Sequence, residues 1–290
     1  MDSDAAPRPA SGAKSMLLTV LGEFVLRSGR PVWTTTLVSV LASLGFNEKN
    51  ARQAIARLAE QDLLSSERIG RQVRWHLTAR AEDLLVEGTE RIFGFLGDDG
   101  SWDGQWLVLA YSVPEELRQV RPQLRKTLGF AGFGFPAQGI AVCAHAEREA
   151  DAKRILDRLG VSGTCLSFRG QVGLLADSPE LVRRSWDLQA LGGGYLDFIA
   201  YFERLRPTCP AQECAAVTEL VHWWRRFPFT DPELPDDLLP AGWPGHRAKR
   251  LFDRLHGLWL PAAMDWVDGI DSSSDGPVGG AVVPERVRLS

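Results

Sequence analysis

The chain has 290 residues, 44% of them hydrophobic and 24% charged, with a formal net charge of −4. That length and balance predict two or three domains with real cores, and they exclude a chain coated in basic groups that binds any phosphate backbone. Cys143, Cys165, Cys209 and Cys214 are too sparse for a disulfide framework, no apolar run has bilayer-spanning length, and "MDSDAAPRPASGAKS" lacks a signal peptide's apolar core. The expectation is a cytoplasmic protein with no membrane partner.

In chain order, residues 1–15 read as a disordered leader. Leu17, Leu18, Val20, Leu21, Phe24 and Val25 then recur at helical spacing until "RSGRP" stops the run. Thr34 to Thr36 read as the cap of a second helix that buries Leu37, Val40, Leu41 and Leu44 and ends at Gly45. Asn47 caps a third. One face of it holds Ala51, Ala54, Ile55, Leu58 and Ala59, and the other Lys49, Arg52, Gln53, Ala56, Arg57 and Glu60. A hairpin follows, Leu63 to Ile69 and back from Gln72 to Leu77 through Gly70 and Arg71, its return strand alternating as if one face were buried. Three helices and a two-stranded wing over residues 16–80 are the order of a winged helix-turn-helix, whose third helix enters the major groove of DNA.

Charge supports that reading. Between Asn47 and Arg80 seven basic residues face four acidic ones, a local balance of +3 that leaves −7 for the remainder. Lys49, Asn50, Arg52 and Gln53 are the expected base readers, because arginine matches guanine and glutamine or asparagine matches adenine through paired hydrogen bonds. Arg68, Arg71 and Arg74 are expected on phosphates or in a minor groove. Arg57 either joins them or pairs with Glu60 or Asp62. A winged helix used only for protein contacts is the competing use of the same module.

Residues 81–101 read as a connecting helix with Leu84, Leu85, Ile92, Phe93 and Leu96 available for packing. From 102 to 178 the period changes. "QWLVLAYSVP" is a strand, "EELRQVRPQLRKTLGF" a helix interrupted near Pro122, "GIAVCAH" a strand, "EREADAKRILDRLG" a helix and "TCLSFRG" a strand. This order predicts a ferredoxin-like α/β middle domain, its fourth strand only faintly marked in "FAGFGFPAQG". Residues 179–268 read as a helical C-terminal domain crossed by a proline-rich strap, "PFTDPELPDDLLPAGWPG", and 269–290 as a disordered tail. The fold class expected is therefore α+β and multidomain.

The stretch from "LLTVLGEF" to "RQVRWHLT", "SWDLQALGGGYLDFIAYF" and "LVHWWRRFPFTDPELPDDLLPAGWPGHRAKRLF" together resemble the PaaX family of bacterial transcriptional regulators, over about Leu17 to Met264. The resemblance implies a repressor of a catabolic operon that binds a near-palindromic double-stranded operator as a homodimer and is released by an acyl-CoA effector such as phenylacetyl-CoA. Cations for its phosphates and an apolar slot for its acyl group would come from Trp223, Trp224, Arg225, Arg226, Arg247, Lys249 and Arg250. The opposing reading is that the tryptophans are core and the arginines pair with Asp231, Glu233, Asp236 or Asp237.

The resemblance also relates the middle domain to metal-dependent nucleases of CRISPR adaptation, which carry an aspartate after the first strand. Tyr111 and Ser112 stand there instead, so that alternative lacks its metal anchor. No dinucleotide loop, phosphate loop or nucleophile elbow is present, and no metal or cofactor is expected. The function classes kept in view are a DNA-binding regulator, a nuclease-like enzyme and an adaptor.

Overall fold

Asn47 takes an extended conformation and its Oδ1 accepts the Asn50 N–H at 2.8 Å, starting helix α3 (Glu48–Glu60) where the sequence asks for it. The structure is a computed structural model that describes residues 12–97 and 102–274. It is a mixed α+β chain with two small antiparallel sheets, and it divides into two compact units that are each discontinuous in sequence.

The first unit comprises residues up to 94, 198–224 and those from 249 onward. Helix α1 (Ala13–Val20) continues as a π-helical segment, Leu21–Leu26, so the last residues assigned to the leader are helical. Both α1 and α2 (Thr34–Ser43) pack on α3, where Ala51, Ala54, Ile55 and Leu58 are buried. The alanines allow that close approach. Gly45, just past α2, has φ +88°, a conformation that favours glycine.

Two expectations need correction here. The threonines do not cap α2: its N-cap is Trp33, with no side-chain cap, and the Thr34 hydroxyl instead donates to the Val73 carbonyl and accepts Trp75 Nε1–H at 2.8 Å. The reason is a strand that the sequence does not advertise. Residues Val32–Trp33 form β1, which joins β2 (Leu64–Ile69) and β3 (Gln72–Leu77) in the order β1-β3-β2. Nor does β3 bury one face, since all six of its residues are half-buried and β2 is exposed beyond Leu64.

Helix α4 (Ala79–Gly94) follows, with Phe93 packed against Phe252 while Leu84, expected inside, is exposed. Helix α9 (Pro210–Trp224) is buried on nearly every side and lies against α1 and α2, which places it at the centre of this unit. The closing helix α10 (Gly245–Ser274) runs six residues past Asp268, into the stretch read as a loose tail. The rest of that tail, residues 1–11 of the leader and residues 98–101 of the connection lie outside the described residues.

The second unit holds residues 95–197 and 225–248. Strands β4 (Trp106–Tyr111), β5 (Gly134–Ala137), β6 (Ile140–Cys143) and β7 (Cys165–Gly170) form an antiparallel sheet in the order β5-β6-β4-β7. Alternation along β4 divides the cores. Leu107 and Leu109 pack with Leu124 and Leu128 of α5 (Arg121–Phe130) and Leu156 of α6 (Glu149–Arg158). Trp106 packs on the other face with Val182 of α7 (Ser178–Ser185) and with Leu234 and Leu238 of the strap.

The faint fourth strand is β5, and its glycine is obligatory. A Cβ on Gly134 would lie 2.5 Å from both Ser185 and Trp186. Pro122 opens α5 after a 3₁₀ turn at Glu115–Val120, the interruption expected there. The strap is ordered by Asp231, which is buried and accepts the Tyr195 hydroxyl at 2.6 Å and the Glu233 N–H at 2.6 Å. Tyr195 itself belongs to α8 (Leu188–Phe202).

Candidate nucleic-acid interface

Burial of the apolar stripe of α3 turns Glu48, Lys49, Asn50, Arg52, Gln53, Ala56, Arg57 and Glu60 to the surface. Lys49, Asn50, Arg52 and Gln53 lie on the first two turns of the helix, the part that contacts base edges in helix-turn-helix proteins. Arg52 Nε donates to Glu48 Oε1 at 2.7 Å, with both side chains more than half exposed. Exposed pairs at this spacing are worth only a few tenths of a kcal/mol, roughly, so Glu48 holds Arg52 weakly. Lys49, Gln53 and Arg57 make no side-chain hydrogen bond or ion pair with the described residues, so the alternative pairing of Arg57 with Glu60 or Asp62 is not formed.

The β2–β3 hairpin turns in two residues, with Ile69 opposite Gln72. Gly70 has φ +62° at the first turn position, which leaves Arg71 fully projecting at the tip, exposed and without a side-chain partner among the described residues. Arg68 is exposed and reaches back to the Gly70 carbonyl at 3.4 Å. Across the strands, Glu67 pairs with His76 at 3.0 Å.

Arg74 behaves differently from the other two. Its guanidinium sits 4.9 Å from the centre of the Trp33 ring, half-buried, opposite Trp33 in the β1–β3 register. That is a cation–π contact, and it makes Arg74 part of the sheet's support before it is anything else. Trp33 and Thr34, which hold β1 and β3 to the start of α2, were absent from the sequence candidates. A strand of two residues has no period to read.

The effector candidates are divided between the two units. Trp223, Trp224, Lys249 and Arg250 belong to the first unit, and Arg225, Arg226 and Arg247 to the second. Trp224 is fully buried, stacked on Phe252 at 4.8 Å between centroids, and its Nε1–H donates to the Ile92 carbonyl at 3.1 Å, so it is core. Trp223 packs with Tyr201, Phe198 and Phe202. Lys249 Nζ is held by Asp253 at 2.6 and 2.7 Å. Arg225 is half-buried and desolvation lowers its pKa, whereas Arg226, Arg247 and Arg250 are exposed. Adjacent helical residues point to different sides, and an aromatic pair in "HWWRRF" is therefore split between two packings.

Tyr111 ends β4 and Ser112 follows it, and no group of three His, Cys, Asp or Glu side chains able to hold a metal occurs among the described residues. None of the described helices is long and apolar enough to cross a membrane.

Comparison with known proteins covers almost the whole chain. Residues 12–81 match the PaaX-like protein family, residues 99–182 the PaaX protein central Cas2-like domain, and residues 186–269 the PaaX-like protein C-terminal domain. The transcriptional repressor PaaX of Escherichia coli (strain K12) is 29% identical over 292 residues, spanning 96% of this chain and 90% of the relative. Among solved structures, the uncharacterized protein Rv0674 from Mycobacterium tuberculosis has a TM-score of 0.61 at 19% identity, over 89% of this chain and 99% of its own. That last likeness concerns the fold alone.

Proposed function

The chain belongs to the PaaX family, and from that premise we propose that it is a sequence-specific DNA-binding transcriptional regulator acting as a repressor. Residues 16–80 act as a winged helix-turn-helix, residues 102–178 as a ferredoxin-like domain and residues 179–268 as a helical C-terminal domain. The observation that carries the proposal is the division of α3: four small or apolar residues buried on one side, and Lys49, Asn50, Arg52, Gln53 and Arg57 on the other, beside a hairpin tipped by an exposed Arg71.

On this reading α3 lies in a major groove, with Arg52 and Gln53 on base edges, while Arg68 and Arg71 meet phosphates. Arg74 serves the wing through Trp33. Two copies of the chain present two such helices to half-sites of a near-palindromic operator one helical turn apart. Release follows binding of an acyl-CoA of the phenylacetyl-CoA kind, which ties the operator to a catabolic operon. Of the seven effector candidates, Arg226, Arg247 and Arg250 are exposed.

Footprinting on the DNA upstream of the protein's own gene tests the reading. A protected, near-palindromic site is the expected result, and Gln53→Ala should change which base is preferred within it while leaving the phosphate-dependent affinity intact. Uniform weak binding to every duplex, by the unaltered protein, would remove the proposal. Titration calorimetry with phenylacetyl-CoA separately tests the effector, and heats equal to dilution would remove that part.

A further inference from the structure

Helix α2 starts at a junction on which both halves of the proposed DNA-reading surface depend. Through Val32 and Trp33 it is paired to β3 of the hairpin, through Thr34 it is tied to Val73 and Trp75, and along its length it packs on α3. Its own sequence supplies no side-chain cap. The missing acceptor comes from the far end of the chain. Asp271 Oδ1, on the last turns of α10, accepts the Trp33 N–H at 3.0 Å and the Thr36 hydroxyl at 2.7 Å.

In a capping box the side chain at the third helical position reaches back to the N-cap N–H. Here that position is Thr36, a fully buried donor, and Asp271 bridges it to the N-cap residue. The carboxylate also stands at the positive end of the α2 dipole. Asp268 and Ser274 share its helical face and extend the contact: Arg30 donates to Asp268 at 2.8 Å, and Thr35 and Ser274 hydroxyls are 3.0 Å apart.

We propose that Asp271 is a positioning residue for DNA reading: it caps α2 from a distance of 235 residues in sequence and thereby holds the hairpin and α3 in the relative orientation that one operator requires. The inference rests on the DNA-binding function proposed above. Phosphate contacts tolerate small errors of orientation, whereas base contacts do not, so loss of the cap falls on specificity before it falls on affinity for DNA in general.

The test uses the full chain, with a duplex from upstream of its own gene and an unrelated duplex of equal length. Asp271→Ala should lose roughly fivefold to tenfold in affinity for the first duplex and almost nothing for the second. Asp271→Asn keeps a neutral acceptor and should recover most of the ratio. Thr36→Val, which removes the donor but keeps the shape, should move it in the same direction as Asp271→Ala. Amide hydrogen exchange of the free protein should speed up at Trp33–Thr36 in Asp271→Ala.

A purely structural contribution would weaken both duplexes alike and leave their ratio unchanged. That result, or unchanged exchange at Trp33–Thr36, overturns the inference while DNA binding stands. Failure of the unaltered protein to distinguish the two duplexes overturns the DNA-reading function itself, and this inference with it.

Discussion

Replacing Arg71 by alanine isolates the proposed phosphate contact from everything else in the molecule. The side chain is exposed at the hairpin tip and bonds no described residue, so its removal should change folding stability by no more than about 0.5 kcal/mol. Each neutralised phosphate contributes about 0.9 to the slope of log affinity against log salt. Between about 50 and 200 mM salt, the unaltered protein should therefore lose about 3.5-fold more affinity than Arg71→Ala loses. Fluorescence anisotropy with a labelled duplex at several salt concentrations reads the slope, and a thermal melt of the same samples reads stability. Arg74→Ala is the contrasting variant, because loss of its contact with Trp33 should cost about 0.5–1 kcal/mol of folding stability. Equal slopes for Arg71→Ala and the unaltered protein would refute the placement of the hairpin tip on the DNA backbone.

Three further outcomes follow from the buried groups. Trp224→Ala should cost about 3–5 kcal/mol in urea unfolding, whereas Trp224→Phe, which keeps the stack on Phe252 but leaves the Ile92 carbonyl without this donor, should cost nearer 1 kcal/mol, roughly. Burial raises the pKa of Asp231, against the opposing hydrogen bonds from Tyr195 and the Glu233 amide. A carboxyl raised by folding stabilises the native state below its unfolded value, and that contribution is lost as pH rises through the folded one. The unaltered protein should accordingly weaken relative to Asp231→Asn as pH rises from about 4 towards neutrality, and parallel urea midpoints would contradict this. Among the thiols, Cys209 is exposed, burial pushes Cys143 up to about 11, and Cys214 is buried and raised as well. A thiol reagent at mildly alkaline pH should label Cys209 first and reach Cys143 and Cys214 only on unfolding, as peptide mapping of the labelled protein would read.

Much of the fold is legible because its signals are local. Asn47 as the α3 cap, the two-faced α3 itself, the Gly70–Arg71 turn and the break before Pro122 each depend on residues within one or two turns of one another, and each stands where the pattern places it. The candidate interface shares that legibility for Lys49, Asn50, Arg52 and Gln53, whose exposure follows from the apolar stripe opposite them. It does not extend to Arg74, since nothing next to "VRWH" announces a tryptophan forty-one residues earlier as its partner.

By itself, then, the sequence determined the elements whose stabilisation lies within them: helical period, turn glycines, the Asn47 cap and the charge that divides α3 from the acidic body. Tertiary structure alone decided that Val32–Trp33 is a strand, that Trp224 is core, that Leu84 is left outside, and that Asp271 closes the start of α2. Those outcomes depend on which surfaces meet across hundreds of residues, and hydrogen bonds made between distant segments leave no period in either segment for a reader to find.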